Sequence, residues 1–290
     1  MTDLIQNLLD HLGLERLEDN LFRGESRDIG GKNVFGGQVL GQAFVAANRT
    51  VEGRRAHSLH AYFLRPGNPQ APIVYDVERI RDGNSFATRR VVAIQHGRAI
   101  LNMAISFQIE EEGFEHQAAM PEVPPPETLP SIEELRCRLT DFLPEQKRAL
   151  LTCERPIEMR PVHSIDPLHP KPMPPSQQVW LRAAGKLPDD PVVHQAVLAY
   201  ASDFPLLATA FLPHGISFFQ RDILAASLDH AMWFHQPFRV DEWLLYAMDS
   251  PSTSGGRGLG RGSIFTRDGR LIASVVQEGM IRSRRDGEEG

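Results

Sequence analysis

The sequence predicts an α+β fold built of two tandem antiparallel sheets, each wrapped around one buried helix. Three observations carry that prediction: an internal repeat of long period, one helical segment that is apolar all round in each half, and short β-rich runs near each helix. The repeat is plainest in SLHAYFLRP (residues 58–66) and SLDHAMWFHQP (residues 227–237), where Ser-Leu precedes a His-Ala step, an aromatic pair and a Pro. His60 to His230 is an offset of 170 and Pro66 to Pro237 of 171, while Gly97 to Gly269 is 172 and Gln108 to Gln277 is 169. A period this long marks a duplicated domain rather than a solenoid, and small changes of offset are what loop insertions produce.

Along the chain, residues 1–20 read as an amphipathic, acidic start. The first central helix is GGQVLGQAFVAANRT (residues 36–50), in which Val39, Leu40, Ala43, Phe44, Ala46 and Ala47 cover nearly the whole circumference. A helix apolar all round is a buried one. Strand-like runs follow: IVYDVERIRD (73–82), ATRRVVAIQ (87–95) and ILNMAISFQ (100–108), separated by DGN, HGR and EEG turns. Such short spacing pairs strands antiparallel, as a meander. A Pro-rich middle comes next, MPEVPPPETLP (120–130), a helical piece over 132–143 and IDPLHPKPMPPS (165–176). It reads as an extended connector, giving an N-terminal domain over 1–118, a connector over 119–155 and a C-terminal domain over 156–290. In the second half Asp190 can cap a helix and Pro191 suits its first position. Val193, Ala196, Val197 and Tyr200 then recur at helical spacing, and Pro205 is the stop. SGGRGLGRG (254–262) has no Gly-Lys-Ser/Thr and reads as a hairpin rather than a phosphate cradle, and RRDGEEG (284–290) as a polar tail.

Composition removes several functions. The chain has 290 residues, 41% of them hydrophobic, enough for a substantial core. Its net charge of −6 argues against nucleic acid as a partner, because phosphate neutralisation needs a Lys/Arg surplus. Two cysteines, Cys137 and Cys153, fit no zinc spacing and no disulfide framework, which suits a reducing compartment. No basic leader opens the sequence and no apolar run approaches the roughly 20 residues of a membrane span. The expectation is a soluble cytoplasmic protein. His57, His60, Asp229, His230 and His235 suggest a metal at first sight, but alternation along strands separates them, so no metal is expected. Tyr62, Phe63, Trp233 and Phe234 read as core or interface aromatics. No G-x-S-x-G elbow occurs, which disfavours an α/β-hydrolase.

Seven segments together carry a resemblance: VFGGQVLGQA (34–43), HSLHAYFLRPG (57–67), IVYDVERIRDGNSFATRRV (73–91), GFEHQ (113–117), YASD (200–203), LDHAMWFHQPF (228–238) and VVQEG (275–279). They run in order through both halves, and the chain resembles the acyl-CoA thioesterase II family. The resemblance implies a double hotdog fold, hydrolysis of fatty acyl-CoA thioesters without a cofactor, and a homo-oligomer, dimer or tetramer. It also implies a water positioned by an Asp, a Thr and a Gln. Asp203 in YASD and Gln277 in VVQEG match two of these. Where the family carries Thr this chain has Ser227, which keeps the hydroxyl and drops the β-branch that stiffens the rotamer.

The chemistry fits those residues. Thioester hydrolysis needs an aimed water, an acceptor for its proton and donors where the oxyanion develops. Asp203 ends an apolar segment, so burial should raise its pKa toward the working range, although an Asp there can also simply terminate a helix. The helical segment 36–50 holds no Asp or Glu, so the duplication should leave one complete site, in the second half, even though Ser58 and Gln108 echo Ser227 and Gln277. Gly36 and Gly37 either offer N–H groups and close approach to a carbonyl or form a tight turn. Arg257 and Arg261, with Arg65, Arg89 and Arg90, are candidates for CoA phosphates. Two alternatives differ in chemistry. An enoyl-thioester hydratase or dehydratase would need a His beside the Asp, and His230 is not expected near Asp203. A non-catalytic acyl-CoA binding protein would bind without releasing thiol.

Overall fold

The computed structural model describes residues 4–27, 33–140, 155–220 and 222–283. The elements are α1 (Leu4–Leu12), β1 (Glu15–Glu18), β2 (Leu21–Gly24), α2 (Gly36–Asn48), β3 (Arg55–Phe63), β4 (Ile73–Asp82), β5 (Phe86–Gln95) and β6 (Arg98–Gln108). After them come α3 (Ile132–Thr140), β7 (Ile157–Pro161), β8 (Ser176–Ala183), α4 (Pro191–Ser202), β9 (Ile223–Ser227), β10 (Asp229–Phe234), β11 (Leu244–Ser254), β12 (Arg257–Thr266) and β13 (Leu271–Ser283). The expected meander of the first half is β4, β5 and β6, within a residue or two. The helical piece over 132–143 is seen as α3, its last residues lying outside the described ones, as do Cys153 and the tail over 284–290. β1, β2 and β7 are too short to show in the sequence pattern.

The strands pair antiparallel in one continuous sheet, in the order β1-β2-β4-β5-β6-β3-β10-β13-β12-β11-β8-β7, with β9 also on β13. The two halves therefore share a sheet, and the seam between them is the repeated motif itself. β3 pairs with β10, Ala61 opposite His230 and His60 opposite Ala231. Two copies of one strand can pair with each other antiparallel in a self-complementary way, as in a two-fold dimer.

The letters of the repeat are out of phase with the fold by one residue. On β10 His230, Met232 and Phe234 face the core, whereas on β3 it is Leu59, Ala61 and Phe63 that face inward and His60 that faces solvent. The same slip puts Ser58 and Gln108 on the outer face while Ser227 and Gln277 face inward. A shift of one residue reverses every side chain on a strand. The breaks that absorb it are a bulge at Ala56/Ser58 and the interruption between β9 and β10 at Leu228. The echoed Ser58 and Gln108 thus form no counterpart of Ser227 and Gln277; Gln108 donates instead to Glu111 at 2.7 Å.

On the inner face lie α2 and α4, buried on almost every side as their all-round apolarity requires. Asp190 caps α4 by accepting from the Val192 N–H at 2.9 Å, with Pro191 at the first helical position. The two helices pack antiparallel and very closely. A Cβ at Gly37 would overlap the Tyr200 carbonyl oxygen, and one at Gly41 would lie 3.3 Å from the Ala196 carbonyl oxygen. α4 ends at Ser202, and a 3-10 helix (Leu207–His214) follows Pro205. Together, Pro191–His214 is long and apolar enough to cross a bilayer, contrary to the expectation that no such run exists, but most of it is buried inside the fold.

The Pro-rich connector covers part of the outer face of the second half. Met120, Val123 and Leu129 pack on Trp180, Trp243, Leu245 and Phe265. Trp180 Nε1 donates to the Pro124 carbonyl at 2.9 Å, and Gln117 of the GFEHQ segment binds both the Leu271 N–H and the Gly269 carbonyl. The connector is therefore a strap on the C-terminal half as well as a link. The hairpin expected over 254–262 is the β11–β12 turn, where Gly255 and Gly256 have φ of 57° and 73°, suiting a two-residue turn with both central φ positive.

Gly37→Ala tests the close helix pairing. The added methyl forces α2 and α4 apart, with an expected loss of about 1–3 kcal/mol in stability, read from urea unfolding.

Candidate active site

Asp203 is the C-cap residue of α4, and its side chain is 5% exposed. Its two oxygens reach different elements. Oδ2 accepts from the Gly37 N–H at 2.9 Å, and Oδ1 from Gln277 Nε2 at 2.6 Å. α2 has no side-chain cap of its own, because Phe35 occupies its N-cap position. Asp203 thus does across the interface what a capping residue does locally: it accepts from the second N–H of a helix and meets the positive end of that helix.

Gln277 sits on the inner face of β13 and is fully buried. Its Nε2 also donates to Ser227 Oγ at 2.8 Å, and Ser227 in turn hydrogen-bonds Asp203. A carboxylate neighbour requires the NH2 end of the amide on that side, so both amide hydrogens are committed. The remaining polar atom, Oε1, is a buried acceptor with no hydrogen-bond partner among the described residues. Burial pushes the Asp203 carboxyl above the usual carboxylate range, and the donors from Gln277, Gly37 and Ser227 pull it back only in part.

The structure thus brings Asp203, Ser227 and Gln277 together and adds Gly37 to them. The cluster is not confined to the second half: it is assembled at the junction of α2 and α4. Gly36 has no room for a side chain beside the cluster, since a Cβ there would lie 2.8 Å from Asp203 Oδ2 and 3.0 Å from the Phe63 ring. The Gly37 N–H is already given to the carboxylate and is not available to a substrate carbonyl.

His230 corrects the sequence reading. Its Nδ1 lies 3.9 Å from Asp203 Oδ1, and its Nε2 is 2.9 Å from Ser202 Oγ. The ring is fully buried, and that burial lowers its pKa to about 3, so it is neutral. The signal that could have found it is the strand alternation: His230 is in phase with Met232 and Phe234, both core residues.

The candidate phosphate ligands are elsewhere. Arg257 and Arg261 pair in register with Met280 and Val276, one residue out of phase with Gln277, and so stand on the opposite face of the sheet. There they form ion pairs with Glu278 and Asp249. Arg90 pairs with Glu78 on the surface and Arg65 donates to the Ala99 carbonyl. Arg89 is buried, bound to Asp82, to Thr50 Oγ1 and to the Thr50 carbonyl, where it ties β5 to the end of α2. Among the described residues no group of three His, Cys, Asp or Glu is placed to hold a metal ion.

Comparison with known proteins agrees with this architecture. Residues 146–280 match the family described as acyl-CoA thioesterase and residues 24–108 the acyl-CoA thioesterase N-terminal domain. The chain is 44% identical to acyl-CoA thioesterase 2 of Haemophilus influenzae over 283 residues, covering 97% of this chain and 99% of the relative. It is 43% identical to human acyl-coenzyme A thioesterase 8, covering 93% and 87%. The crystal structure of acyl-CoA thioesterase II TesB2 from Mycobacterium marinum superposes with a TM-score of 0.78 at 45% identity, over 96% of this chain and 99% of that one.

Arg257→Ala and Arg261→Ala test the outer-face placement. Each should leave KM for acyl-CoA unaltered in a steady-state assay and change stability by less than about 1 kcal/mol, the usual worth of an exposed ion pair.

Proposed function

Since the chain belongs to the acyl-CoA thioesterases, enzymes that hydrolyse acyl-CoA thioesters, we propose that it cleaves fatty acyl-CoA with a water activated by Asp203 and organised by Ser227 and Gln277. The observation that carries this reading is the single amide of Gln277 joining Asp203 and Ser227 at 2.6 and 2.8 Å inside the fold. Asp203 takes a proton from the water as its oxygen adds to the thioester carbonyl. Collapse of the adduct breaks the C–S bond, and the proton passes to the departing CoA thiolate. Gln277 cannot also donate to the carbonyl, because its amide hydrogens are committed. Its free Oε1 fits the second hydrogen of the water instead. The carbonyl then points toward the positive end of α2 past Gly36, where a developing oxyanion is favoured. Ser227 supplies the hydroxyl that the site requires without the β-branch.

The proximity of His230 to Asp203 raises the hydratase reading, and the geometry disfavours it. Delivering a proton to a second substrate carbon needs a ring nitrogen facing the substrate. Here Nε2 faces Ser202, Nδ1 faces Asp203 and the ring is sealed from solvent. The substrate partner is therefore acyl-CoA, with no cofactor in the step. A cytoplasmic setting is part of the proposal, supported by two cysteines that fit neither a zinc spacing nor a disulfide framework. A homo-oligomer, dimer or tetramer, accords with the terminal strands β1 and β7, each of which has one paired neighbour in the sheet.

Thiol release from a panel of acyl-CoAs tests the reading. Asp203→Asn should keep the fold and lose about 100-fold or more in turnover, the scale of a general base. Near-normal release by that variant would sink the assignment. The pH profile supplies a second test. Asp203 acts ionised and burial raises its pKa, so kcat/KM should rise with pH through an acid limb above the ordinary carboxylate value of about 4.

A further inference from the structure

Ser202 Oγ lies within bonding distance of two partners, the Ala199 carbonyl at 3.0 Å and His230 Nε2 at 2.9 Å, and it has one hydrogen to give. The choice fixes the tautomer of His230. If Ser202 donates to Ala199, then His230 must carry its proton on Nε2, and Nδ1 turns a bare lone pair toward Asp203 Oδ1. If Ser202 donates to Nε2, the proton is on Nδ1 and an N–H dipole faces the carboxyl. Inside the fold, with no hydrogen-bond partner for Nδ1 among the described residues, the first arrangement sets lone pair against negative charge. The second is attractive, and the low local dielectric strengthens it.

We propose that His230 is a positioning residue for Asp203: with Ser202 donating to Nε2, its neutral ring turns Nδ1–H toward Asp203 Oδ1 and favours the ionised, correctly oriented carboxylate. This rests on the reading of Asp203 as the base. It also explains why a His occupies the inward phase of β10 between apolar neighbours. The groups facing Asp203 from each packed element are few. They are the Gly37 N–H from α2, Ser227 from β9, His230 from β10, the Tyr246 phenol from β11 and Gln277 from β13. Asp229 and Glu278 flank the site in sequence but lie on the other side of the sheet, where the Glu278 N–H donates to Asp229. His230 stays neutral throughout the working range, so it tunes Asp203 without titrating itself.

The direction follows. Removing the N–H destabilises the carboxylate, raises the pKa of Asp203 and moves the acid limb of kcat/KM to higher pH, by less than about one unit because the N–H acts as a dipole 3.9 Å away rather than as a hydrogen-bond donor. His230→Leu should show that shift. His230→Asn places its Nδ2–H near the lost Nδ1–H, and its limb should coincide with that of the wild type. Ser202→Ala removes the partner of Nε2 with little change of volume but leaves the attraction between Nδ1–H and Asp203, so its limb should stay nearer that of the wild type than the limb of the Leu variant does. The tautomer is read directly from a nitrogen-15 histidine correlation spectrum of the wild type, the His230 signal being assigned by its loss in His230→Asn. An Nδ1–H ring is expected above the acid limb. An Nε2–H ring would overturn the proposal at the contact itself. Equal shifts in the Leu and Asn variants would reduce His230 to a packing residue and overturn it too. An Nδ1–H ring whose removal leaves the limb in place would overturn the coupling to catalysis. Loss of turnover in Asp203→Asn is scored separately, so failure of the base assignment is distinguishable from failure of the His230 contact.

Discussion

The contact on which the site depends is the bond from the Gly37 amide to the Asp203 carboxylate. It joins the N-terminus of one central helix to the C-terminus of the other, and it forms only because glycine lets the two backbones approach. The fields of the helices act on the carboxylate in opposite senses. The negative end of α4 disfavours its charge, while the unfilled N–H groups of α2 favour it. Asp203 stands where these meet, so its protonation is set by the packing of two halves rather than by either one.

Duplication supplies the frame. The repeated strand pairs with its own copy, and the sheet runs through the seam without a break. Yet the halves differ in the phase of that strand, and phase decides which side chains reach the interior. His230, Ser227 and Gln277 face inward, while their echoes in the first half face outward. A one-residue slip is enough to leave one site where the letters suggest traces of two. The first half still contributes, through the two glycines that open α2.

Burial of Asp203 has a cost that its surroundings offset in part. Its pKa in the folded state lies above that in the unfolded chain, so its contribution to stability is present while it is protonated and is lost as pH rises through the folded value. Above that pH the fold carries the charged carboxylate as a cost. The compensating groups are neutral: an amide, a hydroxyl and a backbone N–H. A cationic partner would lower the pKa further and make a weaker base, whereas neutral donors hold the carboxylate without removing its affinity for a proton.

The sequence by itself determined the classes of element and the chief residues. The all-round apolarity of residues 36–50 and 191–202 required buried helices, and the alternating runs required a sheet around them. Asp203 was legible as a carboxylate closing an apolar helix, and Ser227 and Gln277 through resemblance. What the sequence left open was phase and facing. His60 and His230 look equivalent in letters, but a bulge and a strand break put them on opposite faces, and neither irregularity has a local signature strong enough to read. Arg257 and Arg261 sit among glycines, but the register of β12 turns them outward; Gly255 and Gly256 make the turn, while Gly258, Gly260 and Gly262 serve close packing. The pairing of Asp203 with Gly37, and of His230 with both Ser202 and Asp203, joins residues 27 to 166 positions apart. Such contacts come from the antiparallel approach of α2 and α4 and the closing of β10 over them, which only the tertiary structure decides.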